Sequence, residues 1–255
     1  MDATKLFDGH AENYTVGRPG YAHELIDCLC DRYGVKQESV IADIGSGTGK
    51  FAAQLLERGN IVYGVEPNDD MRHAAENELR RFTGFHSVAG DAANTTLAAG
   101  SVDFITTAQA FHWFDVEAFR RECARILRGG KVFLIWNIRD ESDPLNRDLY
   151  RIYGQFCPTF KGFNGGLKKD DPRITEFFRG EYEFVSFDNP LQQDRDTFLA
   201  RSLSGSYSLK TGDDRYEEYM KTLTDTFERY AVNGVVTVAN GSVAYIGTVC
   251  GEFAG

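Results

Sequence analysis

The sequence predicts a doubly wound α/β fold, with seven strands in a mostly parallel sheet and helices on both faces. Three observations carry this. Short β-prone runs alternate with amphipathic stretches from Val40 to Ile138. A loop of alternate glycines, Gly45-Ser46-Gly47-Thr48-Gly49, follows the first run. Carboxylates Asp43, Glu66 and Asp91 stand at or just past the ends of the first three runs. Alternation at these lengths implies parallel strands joined by right-handed crossovers, which puts helices on both faces.

The elements follow in order. Leu25, Ile26, Cys28 and Leu29 recur at helical spacing between Tyr21 and Tyr33, behind the punctuation of Pro19-Gly20. Val40-Ile41-Ala42 is a buried strand that ends in Asp43. A helix with Phe51, Ala52, Leu55 and Leu56 on one face comes next, and Gly59 is its natural stop. Ile61 to Val65 is a second strand, and Asp69 to Arg81 a helix whose acidic first turn suits the helix dipole. Phe85 to Ala89, Val102 to Thr107 and Lys131 to Ile138 read as strands three to five, with a helix from Val116 to Leu127 before the last of them.

After Ile138 the rhythm changes. The stretch from Glu141 to Phe178 is rich in aromatics and glycine, and reads as one or two helices interrupted by a loop. Glu181 to Phe187 is a strand and Arg215 to Tyr230 a helix. Val235 to Val249 is β-prone and broken at Asn240-Gly241, a pair that fits either a hairpin turn or a bulge in one long strand. No linker divides the chain, so residues 1–255 are expected to form a single domain. Residues 139–207 form its candidate lid and acceptor-site insertion.

The formal net charge of -10 disfavours a nucleic-acid partner, although Arg147, Arg151, Lys168 and Lys169 form a local basic group. The start lacks the apolar run of a secretory signal, and no stretch approaches the length of a membrane helix. The expectation is a cytoplasmic protein with no membrane partner. The five cysteines lack metal-ligand spacing, so no metal is expected and reduced, mostly buried thiols are.

In an open parallel sheet, ligands bind at the carboxyl ends of strands where strand order reverses, and the first loop is the usual place. Glycine there permits positive φ and close approach of a ligand. A dinucleotide loop wants G-x-G-x-x-G, but Lys50 occupies the third glycine's position and Gly49 comes one residue early. That favours a cofactor without a pyrophosphate. Glu66, at the end of the second strand, is the expected acceptor for two ribose hydroxyls. Asp91 is suited to accept from an exocyclic amine, or else to cap a helix. Met71 offers a thioether to a flat ring, or ordinary helix packing.

These runs resemble a family. Val40-Ile41-Ala42-Asp43-Ile44-Gly45-Ser46-Gly47-Thr48-Gly49, Gly64-Val65-Glu66-Pro67, Gly90-Asp91-Ala92 and Gln109-Ala110-Phe111-His112-Trp113-Phe114 occur in the order of the class I S-adenosylmethionine (SAM)-dependent methyltransferases. The match is closest to the small-molecule branch that includes trans-aconitate methyltransferase-like proteins. Tyr14 with Arg18-Pro19-Gly20-Tyr21 also looks like that branch, with Ala22 where a proline is common. The resemblance covers Phe7 to about Ile138 well and the C-terminal third loosely.

The resemblance implies a Rossmann-like methyltransferase fold with a helical lid inserted after strand five, SAM as cofactor and a small-molecule acceptor. It places Asp43, Gly45, Ser46, Gly47, Thr48 and Gly49 against the methionine part of SAM, Glu66 at the ribose and Asp91 at the adenine, with Pro67 and Ala92 also in the cofactor set. Tyr14, Met71, Gln109 and Ala110 complete the cofactor set, with Arg18 as a fork for the methionine carboxylate.

The run Gln109 to Phe114 follows the fourth strand, where the reacting methyl should point. Its aromatics serve either to exclude water around a sulfonium or to pack the next helix. His112 is the candidate to orient the acceptor or take its proton, against the plainer role of a satisfied structural histidine. Trp113 and Arg139 are the further acceptor-side candidates. Two rivals stand beside methyl transfer. One is a SAM-binding protein without activity. The other is an NAD(P)-dependent oxidoreductase, which would need the glycine missing at Lys50.

Overall fold

The protein is described by a computed structural model over residues 20–163, 171–205 and 207–249. Strands β1 (Val40–Ile44), β2 (Ile61–Val65), β3 (Phe85–Val88), β4 (Phe104–Ala108) and β5 (Val132–Arg139) pair in parallel. Further along the chain come β6 (Tyr182–Asp188), β7 (Leu191–Gln193), β8 (Val236–Val238) and β9 (Asn240–Gly247). The main sheet has seven strands in the order β3-β2-β1-β4-β5-β9-β6, and β9 runs antiparallel to both its neighbours. The mostly parallel, doubly wound sheet expected from the sequence is therefore present.

Helices α1 (His23–Asp31), α2 (Lys50–Glu57) and α3 (Asp69–Leu79) pack on one face, and α4 (Val116–Ile126) and α6 (Pro172–Phe178) on the other. Between these last two runs α5 (Pro144–Phe156). Strand β5 shows why both faces need cover. Phe133 and Ile135 enter the core on the first side, while Val132, Leu134 and Trp136 enter the core on the second. A strand buried on both faces reads as a continuous apolar run. Each large apolar side chain so buried contributes about 1.5–3 kcal/mol.

A third core lies outside these layers. It is built from α5, the β7–β8 ribbon, α7 (Arg195–Leu203) and α8 (Tyr216–Tyr230), around Tyr153, Phe198, Tyr219 and Leu223. Asp143 caps α5, and Pro144 occupies the first turn, where a missing N–H costs nothing. The span 139–207 is thus shared between places: α5 and α7 join this cap, α6 packs on α4, and β6 forms an edge of the main sheet.

Pairing of Arg139 with Asn240, and of Asp188 with Gly241, brings the exits of β5 and β6 and the start of β9 to one end of the sheet. The cap is therefore attached at the carboxyl end of the parallel strands. Asn146, fully buried, joins the crossings: its Nδ2 donates to the carbonyls of Asp140 (3.0 Å) and Ala239 (2.7 Å), and its Oδ1 accepts from Arg139 Nη1 (3.2 Å).

Asn240-Gly241 is neither a hairpin turn nor a bulge. Both residues are paired inside β9, and the break falls at Ala239, where the chain leaves the ribbon for the main sheet. Strand four begins at Phe104, two residues later than the apolar run, and Val102 keeps only an isolated bridge to Leu127. Among the described residues, no helix is long and apolar enough to cross a membrane.

Candidate functional site

Strand order reverses between β1 and β4, so the loops leaving these two strands meet. They meet closely. A Cβ on Gly45 would lie 2.6 Å from Ala110 Cβ and 3.1 Å from Phe114 Cζ, so only glycine fits. Gly45, Gly47 and Gly49 have φ of +70°, +55° and +80°, the left-handed region that favours glycine. Their surroundings differ. A Cβ on Gly49 would meet Leu79 Cδ1 at 2.5 Å, so that glycine lets α3 approach the loop. A Cβ on Gly47 would meet nothing within 4 Å. The loop is held by two N–H donors, Gly45 at 2.8 Å and Ser46 at 3.1 Å, which share the Val65 carbonyl. Thr48 is buried below it.

Glu66 leaves β2 beside this opening. Its Oε2 accepts from the Gly47 N–H (3.0 Å) and its Oε1 from the Asn68 N–H (3.0 Å). Burial pushes its carboxyl up, against the two backbone bonds and the Arg72 charge, which pull it down. Arg72 Nη1 also donates to the carbonyls of Glu66 (3.0 Å) and Pro67 (3.1 Å). Each carboxylate oxygen keeps acceptor capacity after one backbone bond. The carboxylate is thus fixed in orientation beside an open edge.

Asp43 lies under the loop and is only 1% exposed. Its Oδ1 accepts from Thr106 Oγ1 (2.8 Å), a tie from β1 to β4, and Oδ2 is buried without a hydrogen-bond partner among the described residues. Its pKa is pushed up to about 7 from an ordinary 3.8, chiefly by burial; the Thr106 bond opposes the shift and the Glu66 charge adds to it.

Asp91 caps a turn, not a helix. Its Oδ1 accepts from the N–H groups of Ala93 (2.8 Å) and Asn94 (2.9 Å), and the residue is exposed, with Ala92 buried beside it. Met71 is buried in the first turn of α3, its N–H donating to the capping Asn68 Oδ1 (3.0 Å).

The reacting-end run forms a single 3-10 turn over Phe111–Trp113. Gln109 takes φ +59°, rare without glycine. Its N–H donates to the Ile135 carbonyl (2.9 Å) and its Nε2 to the Asn137 carbonyl (3.0 Å). Phe111 is fully buried against Phe119, Trp136 and Phe177, and Phe114 packs on Phe119, so these two aromatics anchor the loop. Trp113 is 48% exposed, with its ring 4.8 Å from that of His112. The His112 carbonyl accepts from Arg173 Nη1 (3.4 Å), and Arg173 is itself paired with Asp171. Arg139, at the end of β5, lies 4.9 Å from the Phe163 ring centre.

The crevice thus gathers Asp43, Gly45 to Gly49, Glu66, Gln109 and Ala110. Tyr14, Arg18, Lys168 and Lys169 lie outside the described residues, as does Cys250. Of the other cysteines, Cys123 and Cys157 are buried and Cys28 and Cys30 half-buried, all free. Sequence reasoning missed Asn68, Thr106 and Asn137. Asn68 was within reach, because Asn before Asp69-Asp70 is a capping signal. Thr106 and Asn137 matter only through cross-strand register, which has no local signature.

Known proteins share part of this chain and its fold. Residues 42–135, from β1 through most of β5, match the family described as a methyltransferase domain. An uncharacterized methyltransferase of Mycobacterium tuberculosis is 36% identical over 155 residues, covering 60% of this chain and 61% of that protein. The chain thus spans about three fifths of the length of the curated relatives it matches. Among solved structures, a phosphoethanolamine N-methyltransferase of Haemonchus contortus, in complex with S-adenosylhomocysteine, is similar. It has a TM-score of 0.55 and 14% identity, over 96% of this chain and 59% of that one. The [4+2]-cyclase SpnF is as similar, with a TM-score of 0.55 and 16% identity, over 96% of this chain and 94% of that one. The shared fold therefore does not by itself fix the reaction.

Two glycine variants separate the loop's roles. Gly47→Ala costs about 1 kcal/mol for its positive φ, and its Cβ projects into open space on the face where a bound adenosyl compound is expected to lie. Gly49→Ala adds overpacking against buried Leu79, about 1–3 kcal/mol more. Urea unfolding should rank Gly49→Ala as the less stable, whereas calorimetry with S-adenosylhomocysteine should show the sharper loss of affinity per kcal/mol for Gly47→Ala. The reverse ranking would contradict this geometry.

Asp43 gives a pH dependence. Because its folded pKa is raised above 3.8, the folded state holds a proton that the unfolded chain releases between about pH 4 and 7. Stability from this group is full below that window and is lost as pH rises through about 7. Asp43→Asn keeps an oxygen for Thr106 and removes the ionisation. Its urea midpoint should gain on the unsubstituted protein between pH 4.5 and 8.5, and parallel pH profiles would remove the assignment.

Proposed function

We propose that this protein transfers a methyl group from SAM to a small-molecule acceptor by in-line displacement. The observation that carries the reading is the Glu66 carboxylate, pinned by the Gly47 and Asn68 N–H groups beside the open face of Gly47. A carboxylate held in this way suits the two hydroxyls of a ribose, with Pro67 beside it. The glycines let a ligand lie against the backbone of Ser46 to Thr48.

Charge favours SAM over a dinucleotide. Asp43 and Glu66 lie close enough for the Glu66 charge to act on Asp43, and this paired acidity suits a cationic ligand better than a pyrophosphate. The free Oδ2 of Asp43 is an acceptor in reserve beneath the loop. Asp91 Oδ2, to which no described residue donates, is the acceptor for adenine's amine, with Ala92 and Met71 at the ring. Arg18 is assigned to the methionine carboxylate from the sequence, and Tyr14 to the cofactor set.

When bound, SAM supplies an electrophilic methyl carbon that an acceptor lone pair attacks from the side opposite sulfur, with the bonding pair leaving on sulfur. The chain's own part is to position and to dry the site. Gln109, bonded to β5 through Ile135 and Asn137, fixes with Ala110 the wall facing the loop. His112 and Trp113 stand on the acceptor side, where His112 orients the acceptor or takes its proton. Arg139 is assigned to an acceptor's carboxylate from the sequence, and the cap at the carboxyl end to the role of lid. A SAM-binding protein without transferase activity is the second reading, favoured by the likeness to a cyclase.

Calorimetric titration with SAM, S-adenosylhomocysteine and NAD tests the donor. Both adenosyl compounds should bind and NAD should not; binding of NAD alone overturns the reading. Removing hydrogen bonds to a charged acceptor costs about 1.5–3 kcal/mol, so Glu66→Ala should weaken SAM by roughly 10–100-fold. Incubation of a metabolite pool with methyl-labelled SAM then tests transfer, and an absence of labelled product supports the second reading. Once an acceptor is found, His112→Ala should slow turnover by about 100-fold or more if the histidine moves a proton. Near-normal turnover removes that role.

A further inference from the structure

The turn that carries Asp91 and Ala92 has no regular structure, yet it is tightly fastened. A Cβ on Gly90 would lie 2.8 Å from the Thr95 carbonyl and 3.0 Å from that of Asn94, so the turn closes directly on Gly90. Asp91 spends Oδ1 on the N–H groups of Ala93 and Asn94, and its own N–H donates to the Asn94 carbonyl (3.1 Å). That leaves Oδ2 as the open acceptor of an exposed carboxylate.

The other end of the turn is tied to a buried charge. Thr95, fully buried, donates both its N–H (2.7 Å) and its Oγ1 (2.5 Å) to Oε1 of Glu122. Glu122 is only 6% exposed and lies on α4. Arg125 completes the arrangement, with Nε on Oε2 (2.7 Å) and Nη2 on Oε1 (2.7 Å). Burial alone would push the Glu122 carboxyl up, but the Arg125 and Thr95 bonds outweigh it and hold the group below its usual range, so it stays charged. A helix that only had to cover the sheet would place an apolar residue here, as it does at Phe119, Cys123 and Ile126. Burying a carboxylate is costly unless it is fully bonded, and here two of its bonds go to one loop residue.

We propose that Glu122 is a positioning residue for base recognition: through Thr95 it holds the 90–95 turn so that Asp91 presents Oδ2 to the exocyclic amine of a purine. The inference rests on the SAM reading and adds to it the residue that sets selectivity for a 6-amino over a 6-oxo base. Glu122 itself touches no ligand. Its effect passes through Thr95 and the turn.

The test is a ratio that lost stability alone does not move. Affinities of the full chain are measured by calorimetry for S-adenosylhomocysteine and for S-inosylhomocysteine, which carries an oxygen in place of the amine. The unsubstituted protein should prefer the adenosyl compound by about tenfold or more, the worth of a hydrogen bond to a charged acceptor. Glu122→Ala should bring that preference to within about threefold by weakening the adenosyl compound alone, while Glu122→Gln, which keeps an acceptor for Thr95, should retain most of it. A folded Glu122→Ala protein with its preference intact overturns the proposal. If that variant does not fold, Thr95→Val is read on the same ratio, and an unchanged ratio there overturns it equally. Equal binding of the two compounds by the unsubstituted protein defeats this inference alone, whereas binding of neither defeats the cofactor reading itself.

Discussion

The contact between Gly45 and Ala110 decides more than its size suggests. Strand order reverses between β1 and β4, and only there do two adjacent loops leave the sheet in opposite directions. With no Cβ on Gly45, and with Phe114 against it, the two loops seal the base of the crevice. The turn of Gln109, the burial of Phe111 and the start of α4 at Val116 follow from that closure, because the chain after β4 has to clear the glycine loop before it can cross back. A side chain at Gly45 would push the two loops apart.

Electrostatics at the crevice are arranged by backbone more than by cations. Glu66 is steadied by two N–H groups and by Arg72 behind it, and Asp43 by a single hydroxyl from the neighbouring strand. Both carboxyls are driven upward by burial. Such a site gains most from a ligand that brings positive charge and hydroxyl donors, and it resists one that brings phosphates. The same acids set part of the protein's response to pH, because burial raises both carboxyls.

Helix α4 links the loop after β4 to the turn that bears Asp91. It starts from the reacting-end loop through the Asp115 cap, and one turn past Phe119 it carries Glu122, which fastens the turn bearing Asp91. A rigid rod between the two loops fixes the spacing over which a ligand would stretch. The cap meets the sheet at that same end, through the crossings that Asn146 joins.

Most of the sheet was legible in the sequence, because alternating periods and a stop such as Gly59 are local signals that each strand and helix carries by itself. The conformation of the glycine loop was legible for the same reason, because alternate glycines after a strand mark positive φ locally. Other features were decided only in three dimensions. Asn240-Gly241 resembles a turn locally, yet pairing with β5 and β6 holds it inside a strand. The partners Thr106 for Asp43, Asn137 for Gln109 and Glu122 for Thr95 come from residues 27 to 63 positions apart, brought together by register and by helix packing. Local chemistry therefore wrote which residues face the crevice, and long-range pairing chose which of them are held still.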